Sequence, residues 1–220
     1  MIKHLLLDLD GTISDTREGI INCIRYSADK CGLPQLDEEI LLKFIGPPLT
    51  ESYMKYFDLT EERAIEAVEV YRERYNPYGI LECSIYDGIP RLLKELYGRA
   101  TISTASSKPQ HMVEKILSAN GLLEYFTLVV GNDISLPHET KAHVIERALE
   151  GLGVDENERD SVLLAGDRLY DVQGANEAKI DCVCVLYGFG SYEELRDAGG
   201  RYFVKSPDEL REFIIERIAQ

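Results

Sequence analysis

The chain has 220 residues, 39 of them acidic and 24 basic, giving a formal net charge of −15, and 45% of it is hydrophobic. That length suits one large domain or a domain with a small insert, and the apolar share is ordinary for a globular protein. So negative a surface repels nucleic acid and anionic lipid, which excludes both as partners; an anionic substrate needs a pocket made locally positive by a metal cation and placed lysine or arginine.

The opening Met1-Ile2-Lys3-His4-Leu5 runs straight into a predicted strand over residues 4–9. It lacks the longer apolar stretch and small-residue cleavage site of a signal peptide, and no later run is long enough to span a bilayer. From residue 15 to 83 no strand is predicted. Helical periods run through residues 16–31, 38–44, 50–57 and 61–75, separated by Gly32-Leu33-Pro34, Gly46-Pro47-Pro48 and Asn76-Pro77-Tyr78-Gly79. Arg72 and Arg74 read as solvated residues of the last of these helices.

Beyond Tyr86-Asp87-Gly88 the pattern alternates. Helices are predicted at residues 89–96, 108–119, 142–152 and 172–178, and strands at 100–105, 127–130, 161–165 and 182–186. Ser191-Tyr192-Glu193-Glu194 and Ser206-Pro207-Asp208-Glu209 each fit a capping box. Cys182 and Cys184 alternate with valines and read as small apolar strand residues; the five cysteines show no zinc-like spacing, and a reduced, cytoplasmic location is expected. The four histidines likewise form no ligand spacing. The fold class is α/β: a Rossmann-like parallel sheet core covered by helices (residues 1–14 and 84–220), with a helical insert (15–83) after the first strand.

The chemistry concentrates at strand ends. The first predicted strand closes Leu7-Asp8-Leu9-Asp10-Gly11-Thr12, and ligands of open parallel sheets bind beyond the carboxyl ends of strands. A later strand closes Gly166-Asp167-Arg168-Leu169-Tyr170-Asp171, where the acids fit either a site or the start of a helix. Together they gather four carboxylates at one sheet edge, a repulsion that a hard divalent cation would relieve, and oxygen ligands suit magnesium. Ser106 and Ser107, in Ser103-Thr104-Ala105-Ser106-Ser107-Lys108-Pro109, offer hydroxyls beside helix-start amides, a ready anion site. Ser107 with Gln110 also fits a capping box, so Ser106 is preferred. Lys141, in Glu139-Thr140-Lys141-Ala142, can deliver positive charge.

This ordered set resembles the haloacid dehalogenase-like hydrolases over essentially the whole chain: Asp8-x-Asp10-Gly11-Thr12, then Ser-Ser-Lys-Pro, a later lysine, and Gly166-Asp167-Arg168-x-x-Asp171. The insert resembles that family's small helical cap. Phe44-Ile45-Gly46-Pro47-Pro48-Leu49 and Tyr187-Gly188-Phe189-Gly190-Ser191 resemble its phosphoglycolate phosphatase-like branch. The resemblance implies hydrolysis of a small phosphorylated metabolite, phosphoglycolate or similar. Asp8 is the implied nucleophile, and Asp10 the acid that protonates the leaving oxygen and then the base that activates water. Magnesium is implied on the Asp8 carboxylate, the Asp10 backbone carbonyl and Asp167, with Asp171 direct or through water. Phosphate oxygens would meet Thr12, Ser106, Ser107 and Lys141; Lys43 and Gly46 of the cap would meet the rest of the substrate. An acid at position 10 argues against carbon–halogen or phosphonate cleavage. A nucleotidase, a pyrophosphatase and a sugar-phosphate mutase share these core motifs. A phosphoreceiver module is about half as long and has no helical insert.

Overall fold

The computed structural model describes residues 1–136 and 139–218. The chain divides into two compact units, Met1–Ser14 with Ile85–Gln220, and Asp15–Ser84. Along the chain lie β1 (His4–Leu7), β2 (Ser14–Asp15), α1 (Arg17–Lys30), α2 (Glu38–Leu41), α3 (Leu49–Phe57), α4 (Glu61–Tyr75), β3 (Ser84–Ile85) and α5 (Ile89–Leu96). They are followed by β4 (Thr101–Thr104), β5 (Ser106–Pro109), α6 (Gln110–Ala119), β6 (Gly131–Asn132), α7 (Lys141–Leu152) and β7 (Val162–Gly166). The chain ends with α8 (Leu169–Glu177), β8 (Asp181–Val185), α9 (Tyr192–Asp197), β9 (Tyr202–Val204) and α10 (Pro207–Ile215). Among the described residues, no helix is long and apolar enough to cross a membrane.

The first unit is built on a five-stranded parallel sheet in the order β4-β1-β7-β8-β9. The continuously apolar strands β1 and β7 lie in the interior: Leu5, Leu6 and Leu7 of β1 are buried, with Leu6 opposite Ser103 on one side and Leu164 on the other. Parallel strands covered on both faces read as such runs rather than as alternation. In α5, Ile89, Leu92, Leu93 and Leu96 recur at helical spacing and are all buried, each worth about 1.5–3 kcal/mol on transfer from water.

The predicted strand at residues 127–130 is replaced by an irregular run. Thr127 N–H donates to the Ile102 carbonyl at 2.7 Å and Leu128 forms a single bridge with Ser103. The reason is Thr104: its hydroxyl donates to the Val130 carbonyl at 2.9 Å and accepts from the Val130 N–H at 2.8 Å. The hydroxyl thereby takes the Val130 N–H that a ladder would have used, while the Val130 carbonyl also accepts the Ser106 N–H at 3.2 Å, and continuous pairing resumes only at β6, beside β5. The strand β9 falls where none was predicted. Both predicted capping boxes form by half. Ser191 and Ser206 accept from Glu194 and Glu209 N–H at 3.1 and 3.2 Å. The Glu194 carboxylate instead holds Arg168 Nε and Leu169 N–H, and Glu209 holds Lys205 N–H.

The second unit is helical. Its core includes the rings of Phe44, Tyr53 and Phe57, with Tyr53 5.4 Å from each of the other two, and the Tyr53 hydroxyl bonded to that of Ser27. The helix predicted over 38–44 ends early, tightening into the 3₁₀ turn Leu42–Phe44 before Gly46-Pro47-Pro48, where prolines cannot continue the ladder. Arg74 is not the solvated residue expected: it is half-buried and pairs with Glu82 at 2.8 Å, which also accepts from Asn22 at 3.1 Å.

Removing the Thr104 hydroxyl should leave the buried Val130 amide unpaired, at about 1–3 kcal/mol for an unsatisfied buried group, while the Val130 carbonyl keeps the Ser106 N–H. Urea unfolding of Thr104→Val is expected to show that loss, and Thr104→Ser much less.

Candidate active site

Asp8 follows β1 directly. Its N–H donates to the Ala165 carbonyl at 3.0 Å, extending the ladder toward β7 by one residue, and its Oδ1 accepts the Leu9 N–H at 2.7 Å. The chain then turns back on itself, with Ser14 N–H donating to the Leu9 carbonyl at 2.9 Å and Gly11 N–H to the Ser14 carbonyl at 2.8 Å. Gly11 has φ +79°, and a Cβ there would stand 2.1 Å from Asp167 Oδ2. The turn and the adjoining carboxylate both require glycine.

Asp167 and Asp171 come from the turn between β7 and α8. Asp171 does both things its position allowed. Its Oδ2 accepts the N–H groups of Asp167 and Arg168 at 3.1 and 3.0 Å, holding the helix start, while its Oδ1 lies 2.6 Å from Lys141 Nζ. Lys141 Nζ is also 3.1 Å from Asp8 Oδ1, and its side chain is only 4% exposed. As the first residue of α7 it sits where the helix dipole disfavours a cation, so the two carboxylates must outweigh both the dipole and the loss of water. Asp167 Oδ2 accepts the Phe189 N–H at 2.7 Å, and its buried Oδ1 has no hydrogen-bond partner among the described residues.

This burial moves the titrations. The Asp8 carboxyl is pushed up to about 6 by loss of water, against the pull of Lys141 and with Asp171 and Asp10 adding to the rise. Burial, then Asp171 and Asp8, hold Asp167 well above the usual carboxylate range. For Lys141, burial alone lowers the value, but Asp171 and Asp8 outweigh it and the net shift is upward. Asp8, Asp167 and Asp171 each offer an oxygen within 4.8 Å of the others, all buried. A hard divalent cation fits this set: the donors are oxygens, the like charges need offsetting, and Asp167 Oδ1 is unclaimed.

Ser106 is buried, and its hydroxyl favours the ionised form of Asp8. Ser107 is exposed, and α6 begins at Gln110 after Pro109, so Ser107 does not cap that helix. Thr12 is buried, with its hydroxyl lacking a hydrogen-bond partner among the described residues; its carbonyl accepts from Tyr187 at 3.0 Å. Lys43 and Gly46 belong to the helical unit, where both are exposed. Of the histidines, His4 bonds Thr101 and His143 accepts from Thr140 N–H, while His138 lies outside the described residues. The residue that sequence reasoning passed over is Lys108. Its Nζ lies 2.9 Å from Asp10 Oδ2, with the side chain 7% exposed. Its place directly after Ser106-Ser107, beyond a strand, was the available signal.

Comparison with known proteins identifies the family. The family model for haloacid dehalogenase-like hydrolases matches residues 5–185, and the chain belongs to that family. A 5'-nucleotidase of Pseudomonas aeruginosa is 37% identical over 88% of this chain and 86% of its own. The pyrophosphatase PpaX of Halalkalibacterium halodurans is 25% identical over 97% of each. The crystal structure of a predicted phosphatase from Clostridium acetobutylicum superposes with a TM-score of 0.88, at 40% identity over 98% of this chain and 99% of that one. The chain is thus an enzyme of this hydrolase family, and these relatives are named as a 5'-nucleotidase, a pyrophosphatase and a phosphatase.

Gly11→Ala should cost more than its backbone strain of about 1–2 kcal/mol, because the added methyl also displaces Asp167. Gly98→Ala is the control, since Gly98 has φ +76° with open space around it. Thermal unfolding is expected to rank Gly11→Ala clearly below Gly98→Ala.

Proposed function

We propose that this enzyme is a magnesium-dependent phosphatase that hydrolyses a small phosphomonoester through a phosphorylated Asp8. The observation that supports it most is the Asp8–Lys141–Asp171 chain of contacts beside the unclaimed Asp167 oxygen. Asp8 presents a carboxylate oxygen to phosphorus, and Lys141 and Ser106 hold the transferring phosphate oxygens. Asp10 gives a proton to the leaving oxygen and recovers one from the water that hydrolyses the aspartyl-phosphate. Asp8, Asp167 and the Asp10 carbonyl would hold the cation. Both Asp171 oxygens are engaged by Lys141 and backbone N–H groups, which favours contact through water. When bound, the ion supplies positive charge against the phosphate oxygens and Asp8. Lys43, exposed in the helical unit, is the proposed selector for a carboxylate or second phosphate on the substrate. The Pseudomonas relative supports a nucleoside 5'-monophosphate as the ester, alongside phosphoglycolate.

Phosphate release from a panel of both kinds of ester tests the reading. Turnover is expected with magnesium, little with calcium, whose longer bonds and larger ligand number suit the site poorly, and none in excess chelator. Asp8→Asn should retain less than about a hundredth of the wild-type rate, since one group's loss in such chemistry costs roughly 10² or more; a tenth remaining would remove Asp8 as nucleophile.

Asp10→Asn should separate the half-reactions. On an alkyl phosphate its first step should slow by roughly 10²–10⁴. On p-nitrophenyl phosphate, whose leaving group needs no proton, the first step should lose far less. Rapid quench should then show a nitrophenol burst approaching one equivalent per site, with phosphate trapped on the Asp8 peptide.

A further inference from the structure

Asp10 is the one core carboxylate whose two oxygens are treated differently by a cation from outside the Asp8–Asp167–Asp171 cluster. Lys108 reaches it through an irregular piece of backbone. β5 runs parallel to β6, but the register slips between Ser106 and Pro109, which face Gly131 and Asn132 in turn. The two residues left over, Ser107 and Lys108, form a bulge, and bulges re-aim side chains. Ser107 is sent outward to solvent, whereas the Lys108 side chain is 7% exposed. The neighbouring backbone is shaped for this. A Cβ on Gly131 would stand 2.6 Å from the Lys108 carbonyl oxygen and 2.6 Å from Gln110 Cα, so only glycine lets β6 lie this close under the bulge. Lys108 N–H is also held by Ser106 Oγ at 3.3 Å, linking the bulge to the hydroxyl beside Asp8.

The outcome is a lysine Nζ 2.9 Å from Asp10 Oδ2, while Asp10 Oδ1 is buried without a hydrogen-bond partner among the described residues. We propose that Lys108 is the positioning residue for Asp10, tying Oδ2 so that Oδ1 is the oxygen aimed at the leaving group and then at water. This rests on the acid–base reading of Asp10 given above. The proton budget closes on that one atom: Oδ1 gives its proton to the leaving oxygen as the ester P–O bond breaks and the Asp8 O–P bond forms. It takes one back from the water whose oxygen attacks the aspartyl-phosphate. Lys108 itself exchanges no proton. An unanchored Asp10 would turn about its side-chain bonds among several staggered positions, and only one of them serves the reaction.

The test compares Lys108→Met and Lys108→Arg with wild type on an alkyl phosphate and on p-nitrophenyl phosphate. Lys108→Met is expected to lose roughly tenfold or more in kcat on the alkyl ester, a share of the 10²–10⁴ that one general acid supplies, with KM changed by less than about threefold. Its first step on the nitrophenyl ester should stay within a few-fold of wild type, followed by slow turnover, so that the nitrophenol burst appears here too. Lys108→Arg should recover part of the alkyl-ester rate. In the Asp10→Asn background, Lys108→Met should add little further loss, because the two act as a unit. Equal losses on both esters without a burst would overturn the proposal. So would a rise in KM with kcat unchanged, which marks direct contact with substrate, or full additivity with Asp10→Asn. Should Lys108→Met not fold, Lys108→Gln gives the same readout. Asp10→Asn run in parallel separates the two levels. If it fails to distinguish the esters, the acid–base reading falls and the positioning role with it; if it distinguishes them and Lys108→Met does not, only the positioning role falls.

Discussion

Negative charge gathered at one sheet edge is the constraint around which this molecule is arranged. Two unit charges at 4 Å repel by about 4 kcal/mol at an effective dielectric of 20, and four aspartates meet here in a chain already at −15. Each is answered differently. Asp8 and Asp171 share Lys141; Asp10 has Lys108; Asp167 has the Phe189 amide on one oxygen and, among the described residues, no hydrogen-bond partner on the other. The unanswered oxygen belongs to a carboxylate that burial holds well above its usual range, and a cation there would offset the charge. Buried charge that lacks one partner is costly, and a bound cation would offset that cost.

Holding these groups together takes very little backbone. β1 runs between β4 and β7, and extending its ladder by a single residue brings Asp8 beside the end of β7. The crossovers that surround it deliver the remaining side chains to the same edge: the bulge after β4 brings Ser106 and Lys108, the start of α7 brings Lys141, and the turn into α8 brings Asp167 and Asp171. Because the strands are parallel, every such connection ends on the same side, and positions far apart in sequence arrive within a few ångströms.

Much of this was legible in the sequence. The run Leu5-Leu6-Leu7 before Asp8 could belong only to a strand covered on both faces, and the 3.6-residue spacing of Ile89, Leu92, Leu93 and Leu96 matches α5 at both ends. The convergence of Asp8, Asp167, Asp171 and Lys141 was legible as well, because strand ends in an open sheet are where such groups meet. What escaped were effects of single side chains on backbone. Thr104 interrupts the strand expected at residues 127–130 by taking the Val130 N–H, and no periodicity reports a hydroxyl's choice of partner. Glu194 and Glu209 stand at the third helical positions that a capping box wants, yet tertiary partners claim their carboxylates. Lys108 sat in full view within Ser106-Ser107-Lys108-Pro109. Local pattern assigns it to the first turn of a helix, and only the bulge turns it inward.

Asp171 has a consequence for how such a chain can change over generations. One oxygen of its carboxylate secures the start of α8 and the other faces Lys141, so the local fold and the proposed chemistry depend on the same side chain. An asparagine there still offers an oxygen to the two backbone N–H groups while giving up the charge; an alanine surrenders both. Descendants that abandon the reaction but keep the fold therefore have an easy route through asparagine and a hard one through alanine. A lineage in which this position drifts to an amide, leaving Lys141 to Asp8 alone, would carry that loss of charge on an intact scaffold.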